Sequence, residues 1–163
     1  MRAQVEIKAK TPKKVNAAVK GLISKLGLNH KSAKYLGYTE SSDDYRATYC
    51  FNNCEKEQKK TDCEIVFGWQ IWEDRKNKFV EAEFHSVIRD ADGQLKDISP
   101  RQTGDKQILF IPDSTRESGR IDSDTWASWS NLKMQDGHVL EESIPLEVRE
   151  INETYSEVRR RDT

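Results

Sequence analysis

The chain has 163 residues, 35% of them hydrophobic and 34% charged, which predicts one domain with a core and a strongly solvated surface. Its 27 basic and 28 acidic residues leave a formal net charge of −1, so composition gives no support to nucleic-acid binding. The apolar runs are too short to cross a bilayer, and no secretory signal is visible. We therefore expect a cytoplasmic protein without membrane contact.

The first predicted element is a helix over residues 11–27. Thr11 can cap it, Pro12 suits its first turn and Gly27 can end it. Apolar side chains recur on one face, at Val15, Ala18, Val19, Leu22, Ile23 and Leu26. The lysines on the other face are interpreted as a solvated surface.

A second helix is predicted to begin near Cys50 and to run through Gln58. After it come four segments with strand-like composition, each bounded by Gly, Asp, Asn or Pro: residues 64–73, 79–89, 94–98 and 107–111. Strands that follow one another so closely predict an antiparallel meander.

Beyond residue 113 the spacing of apolar residues predicts two more helices. Trp126, Trp129 and Leu132 are three residues apart, and after Pro145 come Val148, Ile151, Tyr155 and Val158 at spacings of three and four. The order of helices, sheet and helices predicts an α+β fold in a single domain, 1–163. Its core covers about 45–113 and its C-terminal helical extension about 114–163.

A hairpin at the turn Asp90-Ala91-Asp92-Gly93 is the sharpest local prediction. Apolar and polar residues alternate on both arms, and Asp-Gly between such arms is the strongest short-range hairpin signal. Pairing of the two arms can bring His85 beside Asp97.

Cys50, His85 and Asp97 together suggest a thiol nucleophile, its base and the group that orients the base. A helix start and a neighbouring imidazolium both favour the thiolate form of a cysteine. Each residue also has a structural interpretation. A buried cysteine can be a small hydrophobic residue, a strand histidine can be structural, and an aspartate can end a strand.

These residues stand in an order that resembles a known family. The motifs are Cys50-Phe51-Asn52-Asn53, Gly68-Trp69, Glu83-Phe84-His85-Ser86-Val87 and Gly93-x-x-x-Asp97-x-Ser99-Pro100. They resemble the transglutaminase-like and arylamine N-acetyltransferase-like branch of the papain-like cysteine enzyme superfamily, over residues 45–113. The chain is also similar to uncharacterised bacterial and phage proteins.

The resemblance implies a papain-like core with N-terminal helices packed on an antiparallel sheet. It also implies a nucleophile at Cys50, a general base at His85 and an orienting Asp97. Asn53 is implied to position the helix start or the oxyanion pocket.

Two features depart from the family's pattern. No residue stands clearly for the oxyanion glutamine, so Gln70 and Gln58 are both candidates. Cys54 is an alternative nucleophile, but Cys50 is preferred because a thiol one turn deeper in the helix loses the free amides.

Trp69 belongs to an aromatic cluster that can form a substrate pocket, although Trp69 and Trp72 point to opposite faces of a strand.

The expected function is therefore a thiol-dependent acyl-transfer enzyme, acting as a hydrolase, deamidase or amide transferase. Its substrate would be an unknown protein, a peptide or a small amide or thioester, and no cofactor is implied. The alternative is a non-enzymatic binding or accessory protein on the same fold. A structural zinc site built from the three cysteines and His85 is not favoured, because no paired C-x-x-C element anchors it.

Overall fold

The computed structural model of the protein describes residues 6–40, 42–101 and 105–161. These residues form two α-helices, α1 (Ala17–Lys25) and α2 (Cys50–Lys60), and a single 3₁₀ turn at His30–Ser32. The strands, in chain order, are β1 (Lys34–Gly37), β2 (Glu64–Asp74), β3 (Phe79–Arg89), β4 (Leu95–Lys96), β5 (Gln107–Pro112), β6 (Gly119–Arg120), β7 (Thr125–Trp129), β8 (Leu132–Gln135), β9 (His138–Glu141), β10 (Pro145–Glu150) and β11 (Ser156–Arg160).

The strands form two antiparallel sheets. The larger sheet has the order β1-β5-β2-β3-β8-β9, with β4 added beside β3, and the smaller has the order β11-β10-β7-β6. In the larger sheet β2 and β3 pair along their whole length, from Glu64 opposite Arg89 to Asp74 opposite Phe79. The central strands β2 and β3 were both predicted, but the meander is wrong in one respect, because β5 returns to the far side of β2.

The main core lies between α1 and one face of the larger sheet. It buries apolar side chains of the helix against those of the strands, among them Val19, Leu22, Ile23, Trp69, Ile71, Ala82, Leu109, Ile111 and Leu132. Burial of such side chains contributes about 1.5–3 kcal/mol each before conformational entropy is counted. The apolar stripe predicted for this helix is therefore the face that packs on the sheet.

The start of α1 differs from the prediction. The helix begins at Ala17, and the Asn16 side chain caps it by accepting a hydrogen bond from Val19 N at 3.0 Å. Thr11 lies outside the helix, and its hydroxyl donates to the Gln107 carbonyl at 2.9 Å. Gly27 does follow the helix end, with a φ of 78° that favours glycine.

Helix α2 lies against an edge of β3 that no described strand covers. On that side β8 pairs with residues 79–82 of β3 and β4 pairs with residues 88–89, so residues 83–87 are left without a strand partner. Phe51 of α2 packs on the sheet face at Phe67 of β2, with ring centroids 5.5 Å apart, and Cys54 packs beside Ile88 of β3. The helix therefore closes an otherwise open part of the sheet.

The predicted α+β fold, with a papain-like core and C-terminal helices, is wrong. Among the described residues the only α-helices are α1 and α2, against eleven strands, and the described part of 114–163 contains β6 to β11. Trp126 and Trp129 lie on β7, and Val148 stands opposite Val158 across the β10–β11 pair. The protein is a β-rich fold of antiparallel sheets.

The wrong helices have a physical explanation. A spacing of three or four is helical only if one element is continuous, and here residues 151–155 form a connection between two strands, so Val148 and Val158 meet by cross-strand pairing. A contrary signal was present at Asp136 and Gly137, whose positive φ values of 51° and 78° form the turn between β8 and β9. Asp-Gly favours that hairpin turn.

No helix within the described ranges has both the length and the apolar character needed to cross a membrane.

Gly68 on β2 is expected to tolerate no side chain, because the strand beside it approaches too closely. A Cβ at this position would collide with the Ile111 carbonyl oxygen and lie 2.7 Å from Phe110 Cζ. We expect Gly68→Ala to lower the free energy of unfolding by about 1–3 kcal/mol, the usual cost of overpacking, measured by urea denaturation.

Gly37→Ala is the matched control, since it also adds a methyl group to a strand of the larger sheet but meets no atom within 4 Å. Its free energy of unfolding should stay within about 0.5 kcal/mol of the wild-type value. Equal stability of the two variants would contradict the close approach at Gly68.

Candidate functional site

Cys50 is the first residue of α2, which confirms the predicted helix start. The first backbone hydrogen bond of this helix runs from Asn53 N to the Tyr49 carbonyl at 2.9 Å, and the Tyr49 side chain makes no capping bond. The amides of residues 50–52 precede that bond and have no acceptor within the helix. Such a helix start stabilises negative charge on a thiol placed there.

Asn53 holds the chain that enters the helix. Its Oδ1 accepts from Arg46 N at 3.1 Å, and its Nδ2 donates to the Arg46 carbonyl at 2.8 Å and to Ser99 Oγ at 3.1 Å. Between these points Thr48 has a φ of 69°, which is strained for a β-branched residue and typical of functional sites. Of the two implied roles for Asn53, these bonds fit positioning of the helix start rather than the oxyanion pocket.

His85 and Asp97 meet as the predicted hairpin requires. His85 Nε2 lies 3.1 Å from Asp97 Oδ1, and both side chains are buried. The two arms pair at Ile88 with Lys96, and the turn closes at Gly93, whose φ is 82°. The Asp97 carbonyl also accepts a bond from the Thr39 amide at 2.8 Å, which fixes its backbone to the segment that follows β1.

The second carboxylate oxygen of Asp97 binds Arg101, which the sequence had not indicated. Arg101 Nη2 donates to Asp97 Oδ2 at 3.1 Å and to the Leu36 carbonyl at 3.2 Å, and Nη1 donates to the Asp105 carbonyl at 3.0 Å. Burial alone would raise the pKa of Asp97. The hydrogen bonds and charges of His85 and Arg101 outweigh it and hold that pKa below 3.8.

The thiol of Cys50 lies within hydrogen-bonding range of the His85 imidazole. Because Asp97 binds Nε2, the ring nitrogen left for Cys50 is Nδ1. Burial alone would lower the pKa of His85, but the charge of Cys50 and the hydrogen bond to Asp97 raise it to about 10. Burial alone would raise the pKa of Cys50, yet the charge and hydrogen bond of His85 lower it below 9.0. These shifts favour a thiolate–imidazolium pair.

Ser86 is a further residue at the thiol. Its side chain is 1% exposed, and its Oγ has no nitrogen or oxygen partner among the described residues. Its hydroxyl and its amide both help to lower the pKa of the Cys50 thiol, and the hydroxyl acts on the pKa of Cys54 in the same direction. The amide is available because this part of β3 has no neighbouring strand on the α2 side, a property of pairing that the sequence does not reveal.

The other two cysteines lie in different surroundings. Cys54 is fully buried, and burial followed by the charge of Cys50 raises the pKa of its thiol far above 9.0. Cys63 is partly buried between α2 and β2. In the described parts of the chain, no group of three or more His, Cys, Asp or Glu residues is arranged to hold a metal ion.

A cleft of about 360 Å³ opens beside Cys50, His85 and Asp97. It is lined by Ala47, Thr48, Cys50, Gln70, Trp72, Glu83, Phe84, His85, Asp97, Ser99, Pro100, Arg101 and Asn131. Gln70, one of the oxyanion candidates, therefore lies in its wall. Trp69 does not line it, because its ring is fully buried in the core, where Nε1 donates to Asp113 Oδ2 at 2.9 Å. Trp72 is the tryptophan on the cleft side.

The thiolate of Cys50 should be visible in its ultraviolet absorbance during a pH titration. We expect its midpoint below 9.0 in the wild type, and no such step in Cys50→Ala. In His85→Ala the midpoint should rise above 9.0, because burial of the thiol raises its pKa and the imidazolium no longer opposes that rise. Ser86→Ala should raise it by less. His138→Ala, at an exposed histidine on β9, is the control and should leave the midpoint unchanged; an unshifted midpoint in His85→Ala would contradict the ion pair.

Asp97→Ala should strongly destabilise the fold, because it leaves the partly buried Arg101 and the buried His85 imidazolium without their anion. Removing one partner of a buried pair costs about 3–5 kcal/mol. Glu64→Ala is the control, since it breaks an exposed ion pair to Arg89 and should cost at most about 1 kcal/mol. Urea denaturation at neutral pH measures both.

This destabilisation should depend on pH in one direction. The folded-state pKa of Asp97 is lowered, so its contribution is complete above the unfolded-state value near 3.8 and is lost as the pH falls through the lower folded-state value. The difference in unfolding free energy between wild type and Asp97→Ala should therefore shrink below pH 3.8. A difference that grows on acidification would show that Asp97 is not the stabilising anion.

Comparison with known proteins finds no protein-family model, no curated protein and no solved structure that matches the chain.

Proposed function

We propose that this protein is a thiol-dependent acyl-transfer enzyme in which Cys50 is the nucleophile, His85 the acid and base, and Asp97 the orienting group. The observation that carries the proposal is the continuous chain of contacts from the Cys50 thiol through His85 to Asp97 Oδ1, beside an open cleft. A nucleophile, a base and an orienting group in hydrogen-bond contact are the arrangement on which covalent acyl transfer depends.

In the first step the Cys50 thiolate attacks the carbonyl carbon of an amide or thioester. The carbonyl electron pair moves to the oxygen, and the resulting oxyanion is stabilised by the free amides at the start of α2, with Gln70 as a second candidate donor. The His85 imidazolium gives its proton to the leaving nitrogen or sulfur, the carbonyl re-forms, and the acyl group remains on Cys50 as a thioester.

In the second step His85 acts as a base. The neutral imidazole takes a proton from water or from an amine, which attacks the thioester carbon and releases Cys50 as the thiolate. Attack by water completes hydrolysis or deamidation, whereas attack by an amine completes amide transfer. Asp97 holds the ring in one orientation through both steps, since its Oδ1 binds Nε2 and leaves Nδ1 facing the thiol.

The cleft indicates the size of the group that is transferred. Its volume of about 360 Å³ is at the lower end of the range for small-molecule sites. It suits one amino-acid side chain with its amide, or a small acyl group. An unknown protein, a peptide and a small amide or thioester all remain within the proposed substrate class.

An activated acetyl ester tests the proposal directly, because a covalent intermediate can be weighed and mapped. We expect one acetyl group on Cys50, removable by hydroxylamine, and none at Cys54 or Cys63. Cys50→Ala should abolish the adduct. His85→Ala should slow its formation by roughly a hundredfold or more, the usual contribution of general acid–base catalysis.

Two controls separate this result from nonspecific acylation. Cys63→Ala and His138→Ala remove a thiol and an imidazole that lie outside the cleft, and both should react as the wild type does. Equal acetylation of all three cysteines, or no effect of His85→Ala, would exclude the enzyme and leave a binding role for the cleft.

A further inference from the structure

We propose that Glu83 and Trp72 form a subsite for a positively charged group on the acyl donor that Cys50 attacks. The inference rests on the proposed function, because it assigns the other end of the same substrate. It concerns the part of the cleft beyond His85, where Glu83, Trp72, Gln70 and Asn131 form the walls.

The sheet places these residues on one side. Glu83 precedes His85 by two positions on β3, so both side chains point to the same face. Gln70 stands directly opposite Glu83, and Trp72 is two positions further along β2 on the same face. The register therefore puts a carboxylate and an indole ring next to the catalytic histidine.

The charges that line the cleft are paired with one exception. The Cys50 thiolate faces the His85 imidazolium, and Asp97 binds both His85 and Arg101. The charges of these four groups sum to zero. Glu83 is the remaining charged residue in the lining, and no lysine or arginine in the described parts of the chain forms an ion pair with it.

The surroundings of Glu83 favour a bound cation. The carboxyl is half-buried, and that burial raises its pKa above 4.5, while the charge of His85 and a hydrogen bond from Trp72 oppose the rise. A carboxylate withdrawn from water is stabilised by an opposite charge. The neighbouring ring of Trp72 attracts an ammonium or guanidinium through its face. A lysine-like or arginine-like group satisfies both features.

Glu81 offers a matched comparison. It lies two positions from Glu83 on the same face of β3, but Asn131 Nδ2 donates to it at 2.8 Å and Lys133 Nζ lies at 3.9 Å. It is not part of the cleft lining. Changing Glu81 therefore removes a nearby carboxylate of equal charge and leaves Glu83 and Trp72 themselves unchanged.

Three methanethiosulfonate reagents that differ in charge test the subsite: a trimethylammonium-ethyl cation, a sulfonate-ethyl anion and a neutral methyl compound. Each transfers its alkylthio group to the thiolate, which forms a disulfide and releases methanesulfinate. Rates at Cys50 are followed by mass spectrometry of the mapped peptide. The ratio of the cationic to the anionic rate is the measured quantity, because any general change in thiol reactivity cancels from it.

We expect Glu83→Gln to lower this ratio by roughly tenfold, the effect of removing one charge within a few ångströms at an intermediate dielectric. Glutamine can still accept the hydrogen bond from Trp72, so the fold should be preserved. Trp72→Leu should lower the ratio roughly threefold through loss of the ring face. Glu81→Gln should leave it within about twofold, since the charge of Glu81 is shared with Lys133.

The neutral reagent separates failure of the subsite from failure of the function. If it labels Cys50 no faster than Cys54 and Cys63, the proposed thiol chemistry fails and the subsite fails with it. If it labels Cys50 selectively while the charge ratio is the same in wild type and Glu83→Gln, the subsite alone is overturned. An equal drop in Glu81→Gln would also overturn it, because the effect would then be the general field of the sheet face.

Discussion

The buried carboxylate of Asp97 is the constraint on which the site depends. A charge withdrawn from water is stable only when it is paired, and here each oxygen has its own cation: His85 on Oδ1 and Arg101 on Oδ2. Arg101 also binds the carbonyl of Leu36 on β1. One carboxylate thus joins the central strand β3, the hairpin after it and the far edge of the sheet, and the orientation of the imidazole follows from that pairing.

The position of the thiol follows from a different requirement, the coverage of a sheet edge. Residues 83–87 of β3 lack a strand partner on one side, and exposed strand edges must be paired or covered. Helix α2 lies beside this edge, with Phe51 packed on Phe67 of β2 and Cys54 packed beside Ile88 of β3. As a result Cys50 stands at the helix start beside this edge, where the hydroxyl and the amide of Ser86 lower the pKa of its thiol.

Prediction of structure from this sequence succeeds where the determining interactions are local. The turn at Gly93 and the alternation on its two arms suffice to bring His85 to Asp97, and the helix start at Cys50 was found at its first residue. It failed where the partner lies far along the chain. Trp126 packs on Phe51 with ring centroids 4.6 Å apart, so its spacing from Trp129 reflects contacts made from a strand rather than a helical face.

The functional residues that the sequence did not indicate share one property: each is defined by the partner that it has or lacks. Ser86 matters because its hydroxyl has no nitrogen or oxygen partner among the described residues, and Arg101 because it neutralises Asp97. Glu83 matters because the charges around it are already balanced. In the proposed reaction the charges of Cys50, His85, Asp97 and Arg101 sum to zero, so the proposed subsite assigns discrimination between substrates by charge to the carboxylate of Glu83.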